Sequence, residues 1–149
     1  MSVDKKYYLD TSALLPYYRN EKISFRIQEI LTAIEPPLLI SSLTNVEFVS
    51  ALSHWVRMKE LAEAEAGLVE NMFNSDIKQG LFIRQPVSPK HFDQAEKWIS
   101  GRRTALRTLD ALHLACSWSF EAEIITCDKI LHESAELLGI SSRLIETHQ

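Results

Sequence analysis

The segment Tyr7–Leu15, YYLDTSALL, joins a short apolar run to an acidic residue that small hydroxyl residues follow. Tyr7–Leu9 predicts a β-strand, and Asp10 ends it at a position typical of a turn or of the start of a helix. An acidic residue stands in a similar place three more times along the chain. These are Glu47 in SSLTNVEFV, Asp110 in LRTLDALHLA and Asp128 in IITCDKIL.

Short apolar runs alternate with longer helical patterns over the whole chain, which is the signature of βαβ units around a parallel sheet. We predict further strands at 38–41, 81–84, 124–126 and 143–145. We predict helices over 23–34, from Thr44 toward Lys59, over 61–73, from Pro89 to Gly101, from a Thr108 cap to about Phe120, and between Asp128 and Gly139. No linker, repeat or low-complexity segment is visible, so we expect one α/β domain over residues 1–149.

The composition is that of a globular chain that forms its own core. The 149 residues are 46% hydrophobic and 24% charged, which argues against extensive disorder. The net charge is −4, from 16 basic and 20 acidic residues, so the basic excess of many nucleic-acid binders is missing. Setting the four carboxylates above aside leaves 16 acidic against 16 basic residues. A nucleic-acid substrate therefore remains compatible with the charge.

The two cysteines and the hydropathy pattern give two further expectations. Cys116 and Cys127 show neither the CxxC spacing nor the histidines of a zinc site, so we expect reduced, mainly buried thiols. No apolar run is long enough to span a bilayer, and the N-terminal MSVDKKYYLD has no long apolar stretch behind its lysines. We predict a cytoplasmic protein.

Three of the four acidic positions have a plain structural explanation when each is taken alone. Asp10 and Asp128 suit helix caps, and Thr44 with Glu47 fits an S/T-x-x-E capping box. Asp110 is harder to explain in this way, because its apolar neighbours make an unpaired buried charge expensive. Strand ends of a parallel sheet lie at one edge, so we expect the four carboxylates to meet in one pocket.

Four carboxylates in one pocket require a counter-cation, because like charges at close range raise each other's pKa. Divalent cations such as Mg²⁺ prefer carboxylate oxygens and retain water. This combination predicts a metal-dependent phosphodiesterase.

The chain resembles the PIN-domain ribonucleases at these positions, in LDTSAL, at Glu47 near a helix start, in LRTLDALHLA and in TCDKIL. It is most similar to the stand-alone toxins of the VapC type. The resemblance implies a three-layer α/β/α sandwich with a central, mainly parallel sheet. It also implies an endoribonuclease that depends on Mg²⁺ or Mn²⁺, a cognate antitoxin protein as partner, and a homodimer.

The resemblance also implies roles for individual residues. Asp10 and Asp110 would be direct metal ligands, and Glu47 and Asp128 would act directly or through water. Ser12 matches a hydroxyl that supports the site, and Thr126 stands where the family often has Thr before its last Asp. Two alternatives stay open: a non-catalytic PIN-like module that binds RNA or protein, and an RNA-processing nuclease without a toxin role.

Basic residues and one histidine lie close to Asp110 in the sequence. Arg102, Arg103 and Arg107 precede it, either as a solvated loop or as contacts for RNA phosphates, which guanidinium groups suit. His113 lies three positions after Asp110, on the same helix face. It suits either a hydrogen bond near the site or a core position, and we favour the core position, because imidazole matches a magnesium site poorly.

Overall fold

The computed structural model describes residues 5–147 and contains one five-stranded sheet. The strands are β1 (Lys6–Leu9), β2 (Leu38–Ser41), β3 (Phe82–Gln85), β4 (Ala122–Thr126) and β5 (Ser142–Leu144). The helices are α1 (Thr11–Tyr18), α2 (Ser24–Thr32), α3 (Ser42–Arg57), α4 (Glu63–Lys78), α5 (Pro89–Ser100), α6 (Thr108–Ser119) and α7 (Lys129–Leu137). The strand order is β3-β2-β1-β4-β5, and every neighbouring pair is parallel. The predicted α/β class with a parallel sheet is confirmed.

Helices cover both faces of the sheet, because each inner strand has apolar side chains on both sides. Leu9 and Ile125 belong to one buried cluster, which also includes residues of α1 to α4. Their strand neighbours Tyr8 and Ile124 belong to a second cluster, with residues of α5, α6 and α7. Successive side chains of a strand point to opposite faces, so this division confirms the three-layer sandwich.

The layer of α1 to α4 is held to the sheet by stacked aromatic rings. Phe48 of α3 and Phe73 of α4 lie 4.3 Å apart between ring centroids, and both are almost completely buried. Phe73 also contacts Phe82 of β3 edge-on, at 5.9 Å. The helices predicted from Thr44 toward Lys59 and over 61–73 therefore pack onto the sheet through these rings. Each buried ring contributes roughly 1.5–3 kcal/mol of transfer free energy.

Several predicted boundaries were wrong at helix starts. The helix assigned to Thr44 begins at Ser42, and its capping box pairs Ser41 with Thr44 instead of Thr44 with Glu47. Likewise, Arg107 occupies the N-cap of α6, and Thr108 is already its first residue. The local pattern admits several hydroxyl residues as caps, and the end of the preceding strand or loop decides which one is used.

Other parts of the prediction match the structure closely. Pro89 starts α5 with Ser88 as its N-cap, and α7 is followed by Gly139 at a positive φ of 73°. Helix α1 was not predicted as an element, because its eight residues are too few to show a clear period.

Cys116 is buried and Cys127 partly buried, and both are free thiols, as expected. Among the helices within residues 5–147, none combines the length and the apolar character that crossing a membrane needs.

Candidate functional site

The candidate site lies at the carboxyl edge of the sheet, where the strand order changes direction. Strands β1 and β4 pair over four residues, and the chain extends from this pair toward β2 and β3 on one side and toward β5 on the other. Asp10 directly follows β1, and Asp128 lies two residues beyond β4. Ligands of open α/β sheets bind at such a point.

Glu47 and Asp110 come to the same edge on helices. Helix α3 follows β2 directly, and α6 runs back toward the start of β4, so both helices have their N-termini at the carboxyl edge. Asp110 lies in the first turn of α6. Glu47 lies in the second turn of α3, one turn deeper than its predicted place in a capping box, because the helix begins at Ser42. The positive ends of the helix dipoles favour carboxylates in this region.

Asp10 is held by hydroxyl groups although it is only 4% exposed. The Ser12 hydroxyl lies 2.8 Å from Oδ1 and 3.1 Å from Oδ2 of this carboxylate. Ser12 also accepts the backbone N–H of Cys127 and contacts Thr126 Oγ1 at 3.2 Å. Burial raises the pKa of Asp10 to about 6, against the opposing effect of His113 and these hydroxyls. The structure therefore retains a carboxylate here at the expense of stability.

Asp128 has the capping role that its sequence position allows. Its Oδ1 accepts the backbone N–H groups of Ile130 at 2.9 Å and Leu131 at 3.2 Å, so it is the N-cap of α7. Its own N–H donates to Thr126 Oγ1 at 2.9 Å. Through Thr126 and Ser12, Asp128 is connected to Asp10 by hydrogen bonds. Both predicted supporting hydroxyls thus lie between the two acids.

Glu47 is bound through a single oxygen. The Thr11 hydroxyl donates to its Oε1 at 2.5 Å, and His113 Nε2 makes a short hydrogen bond to the same atom. Burial raises the pKa of Glu47. The hydrogen bond and the charge of His113 have the opposite effect and outweigh burial, so the pKa lies below its usual value. Among Asp10, Glu47 and Asp110, Glu47 is the one whose surroundings favour the ionised form.

Asp110 is half-buried and surrounded by charges of both signs. Burial raises its pKa, and the negative charges of Asp128 and Glu47 raise it further, while His113 and Arg107 oppose them. These mutual effects mean that the carboxylates act on one another across a common space.

The side-chain arrangement does not by itself enclose a cation. Within residues 5–147, no group of three or more His, Cys, Asp or Glu side chains is spaced to hold a metal ion. The donor chemistry nevertheless fits a hard divalent ion, since all four predicted ligands are carboxylates. Asp128 Oδ1 and Glu47 Oε1 are engaged in protein hydrogen bonds, so metal binding would use their other oxygens or follow a rotation of the side chains.

The three arginines are distributed over different places. Arg107 is close enough to Asp110 to lower the pKa of this carboxyl. Arg103 instead donates to the carbonyl of Leu137 at 3.3 Å, at the end of α7 opposite to Asp128, and α7 is about 13 Å long. Arg102 donates to the carbonyl of Ser100 at the end of α5. Arg103 therefore lies at the far end of α7 from Asp128, whereas the charge of Arg107 reaches Asp110.

Two residues that were not among the predicted site residues belong to the site. Thr11 binds Glu47 across 36 positions of sequence, and His113 binds it across 66. His113 is buried as predicted for a core histidine, but its ring touches the acidic site as well. Its position three residues after Asp110 was the one available signal, and nothing local marked Thr11.

Asp10→Asn is expected to stabilise the protein when no divalent cation is present. The pKa of Asp10 in the folded protein, about 6, lies above the ordinary value of 3.8. Protonation therefore favours folding, and this contribution is lost as the pH rises from about 4 to about 6. The full shift corresponds to about 3 kcal/mol, and a weakened bond from Ser12 reduces the expected gain to about 1–2 kcal/mol near pH 7.5.

Urea unfolding in EDTA at about pH 4 and about pH 7.5 measures this difference, which should disappear at the lower pH. Asp93→Asn, a change at an exposed position of α5, is the control and should leave the free energy of unfolding unchanged. An Asp10→Asn protein less stable than the wild type near pH 7.5 would contradict the expectation.

Comparison with known proteins agrees with this architecture. The family model described as PIN domain matches residues 7–137. Curated protein sequences give no match.

Several solved structures share the fold. FitAB bound to an IR36 DNA fragment has a TM-score of 0.73 at 14% identity, covering 96% of this chain and 99% of its own. VapBC2 from Rickettsia felis, bound to a DNA fragment from its promoter, has a TM-score of 0.68 at 14% identity, covering 94% and 98%. VapC20 of Mycobacterium tuberculosis, a sarcin-ricin loop cleaving toxin, has a TM-score of 0.67 at 13% identity, covering 87% and 95%. The likeness lies in the fold, and together with the match over residues 7–137 it identifies the chain as a member of the PIN domain family.

Proposed function

We propose that this protein is a metal-dependent endoribonuclease that hydrolyses RNA phosphodiester bonds, and that it is the toxin of a toxin–antitoxin pair. The observation that carries the proposal is the set of four carboxylates at the carboxyl edge of a PIN-domain sheet, at the point where strand order reverses. Burial raises the pKa of Asp10, and burial with the charges of Asp128 and Glu47 raises the pKa of Asp110. Carboxyls perturbed in this way are a common feature of functional sites.

The cation in this proposal is Mg²⁺ or Mn²⁺. Asp10 and Asp110 would hold it directly, and Glu47 and Asp128 would act directly or through water. A bound divalent ion would make water a nucleophile at neutral pH and offset the charge that develops on the phosphate.

The protein's own contribution is to fix the positions of the carboxylate oxygen atoms. Ser12 donates to Asp10 and is itself fixed by the N–H of Cys127, so the carboxylate has a defined orientation before any ligand arrives. Thr126 fixes the backbone of Asp128 in the same way. A preorganised set of this kind reduces the reorganisation that binding and reaction would otherwise require.

Asp110→Asn or Asp10→Asn should reduce RNA cleavage by about 100-fold or more. Loss of a residue that merely supports a metal ligand already costs about 10–100-fold, so loss of a ligand should cost at least as much. Cleavage of an end-labelled single-stranded RNA in Mg²⁺ or Mn²⁺ measures the effect, and EDTA should abolish wild-type cleavage.

Asp93→Asn again provides the control, because it removes an exposed carboxylate from a helix of the same layer. Each variant's circular dichroism and unfolding curve should show a folded protein. Cleavage that persists at the wild-type rate in a folded Asp110→Asn protein would rule out the proposed role of this residue.

Arg107 is the arginine that we propose to contact RNA phosphate, because it is the one whose charge reaches Asp110. Arg107→Ala should weaken RNA binding and reduce the slope of log K against log salt by about 0.7, the value for one phosphate contact to a single strand. Arg103→Ala, at the far end of α7, is the matched control and should leave the slope unchanged. Binding is measured with an uncleavable RNA at several salt concentrations. Equal slopes for the wild type and Arg107→Ala would exclude the contact, and a lower slope for Arg102→Ala would add that residue to the RNA surface.

An antitoxin partner and a homodimer complete the proposal. The structures of similar fold include a toxin–antitoxin complex from Klebsiella pneumoniae. The helix pair α3–α4 also has exposed apolar side chains that suit a protein contact: Val46, Val49, Leu68 and Met72.

Coexpression with the product of the neighbouring gene should give a complex in which RNA cleavage is inhibited, and light scattering of the isolated chain should give the mass of a dimer. A neighbouring gene whose product neither binds nor inhibits would favour an RNA-processing role. A cytoplasmic location stays a prediction, which cell fractionation would check.

A non-catalytic PIN-like module that binds RNA or protein is the alternative from a different class. Such a module has no need of an intact set of acids, whereas Asp10, Glu47, Asp110 and Asp128 are all present. Wild-type protein that binds RNA without cleaving it, at any concentration of Mg²⁺ or Mn²⁺, would favour the module.

A further inference from the structure

His113 connects the core of the protein to Glu47. Its side chain is 3% exposed and lies on α6, one turn after Asp110. Nδ1 lies 2.7 Å from the hydroxyl of Tyr8, a residue of β1 that is completely buried. Nε2 makes the short hydrogen bond to Glu47 Oε1. Both ring nitrogens therefore have partners, one in the sheet and one in the acidic site.

The imidazole ring is fixed on its core side. The Tyr8 hydroxyl also donates to Ser41 Oγ at 2.9 Å, and the Ser41 backbone N–H donates to Thr44 Oγ1 at 3.2 Å in the capping box of α3. The chain of contacts thus returns to α3, the helix that carries Glu47. Since Tyr8, Ser41 and Thr44 are each buried without measurable exposure, the ring has little freedom to turn.

Glu47 is consequently oriented by two donors at one oxygen. Thr11 and His113 both bind Oε1, and among residues 5–147 no hydrogen bond reaches Oε2. Glu47 is partly exposed, so a carboxylate without these donors would be free to adopt other rotamers. The two donors leave Oε2 as the oxygen available to the pocket that Asp110 shares.

We propose that His113 is a positioning residue: it holds the Glu47 carboxylate through Oε1 and leaves Oε2 free for a cation that the acidic site would bind. This inference rests on the proposed function, because it assigns His113 to the metal site of that enzyme. Partners that orient a metal ligand without touching the metal are typically needed for full affinity. A purely structural His113 would affect only the stability of the protein. The proposed role also makes metal binding depend on His113 through Glu47.

The test is Mn²⁺ binding to the metal-free protein, measured by calorimetry, with RNA cleavage as a second readout. His113→Leu should weaken Mn²⁺ binding by about 10-fold. His113→Gln, whose amide can donate from near the position of Nε2, should recover most of the affinity. His113→Asn, whose shorter amide reaches only the position of Nδ1, should resemble the Leu variant.

A double-mutant cycle identifies the partner. In a Glu47→Gln background, His113→Leu should cause no further loss of Mn²⁺ affinity, because the residue would then have nothing to orient. His91→Leu is the matched control: His91 is also buried, with Nδ1 bound to the Ser88 N–H and Nε2 2.7 Å from Ser119 Oγ at the other end of α6. This control should lower the melting temperature and leave Mn²⁺ affinity unchanged.

The outcomes separate this inference from the proposed function. Wild-type protein that neither binds Mn²⁺ nor cleaves RNA overturns the proposed function and this inference with it. Wild-type activity together with unchanged Mn²⁺ affinity in His113→Leu, or with losses that multiply in the double variant, overturns the inference alone. If the Leu variant does not fold, the comparison of Gln with Asn decides, and equal Mn²⁺ affinities for these two would contradict the role.

Discussion

The parallel pairing of β1 with β4 is the constraint on which the site depends. The register aligns Leu9 with Ile125, and the Asp10 N–H continues the ladder to the Ile125 carbonyl at 3.3 Å. Because the two strands end side by side, residues that are more than a hundred positions apart meet just beyond their ends. Ser12 touches Thr126 and the N–H of Cys127 for this reason. Without this register, Asp10 and Asp128 would have no common support.

The acidic site works against the stability of the same fold. Burial raises the pKa values of Asp10 and Asp110, which means that their ionised forms are less favourable here than in water. Hydroxyl donors, helix N-termini and His113 offset part of this penalty. None of these groups removes the mutual repulsion of Asp110, Asp128 and Glu47, which a divalent cation would. The fold is therefore organised to tolerate a negative pocket, and a cation would complete it.

The sequence predicted the fold better than it predicted the contacts of the site. The apolar runs were sufficient to predict all five strands. The local pair Ser88–Pro89 predicted the start of α5 correctly. The helix that follows Asp10 was missed because α1 has only eight residues and contains Pro16, so its period is too short to recognise. Glu47 was assigned to a capping box because S/T-x-x-E is a local signal. Its real partners, Thr11 and His113, are set by the packing of three elements, which no local pattern records.

Tyr8 illustrates why a residue of the core and a residue of the site are not separate classes in this protein. Strand β1 directs Leu9 to the layer of α1 to α4 and Tyr8 to the layer of α5 to α7. A phenylalanine would fill the same apolar space, but its ring would leave His113 Nδ1 and Ser41 Oγ without their shared partner. The buried hydroxyl thus makes the packing of the sheet determine the orientation of an imidazole, and the imidazole in turn determines the orientation of Glu47. Polar networks in a core are costly unless every member is satisfied, and here the last member is an acid at the edge of the candidate site.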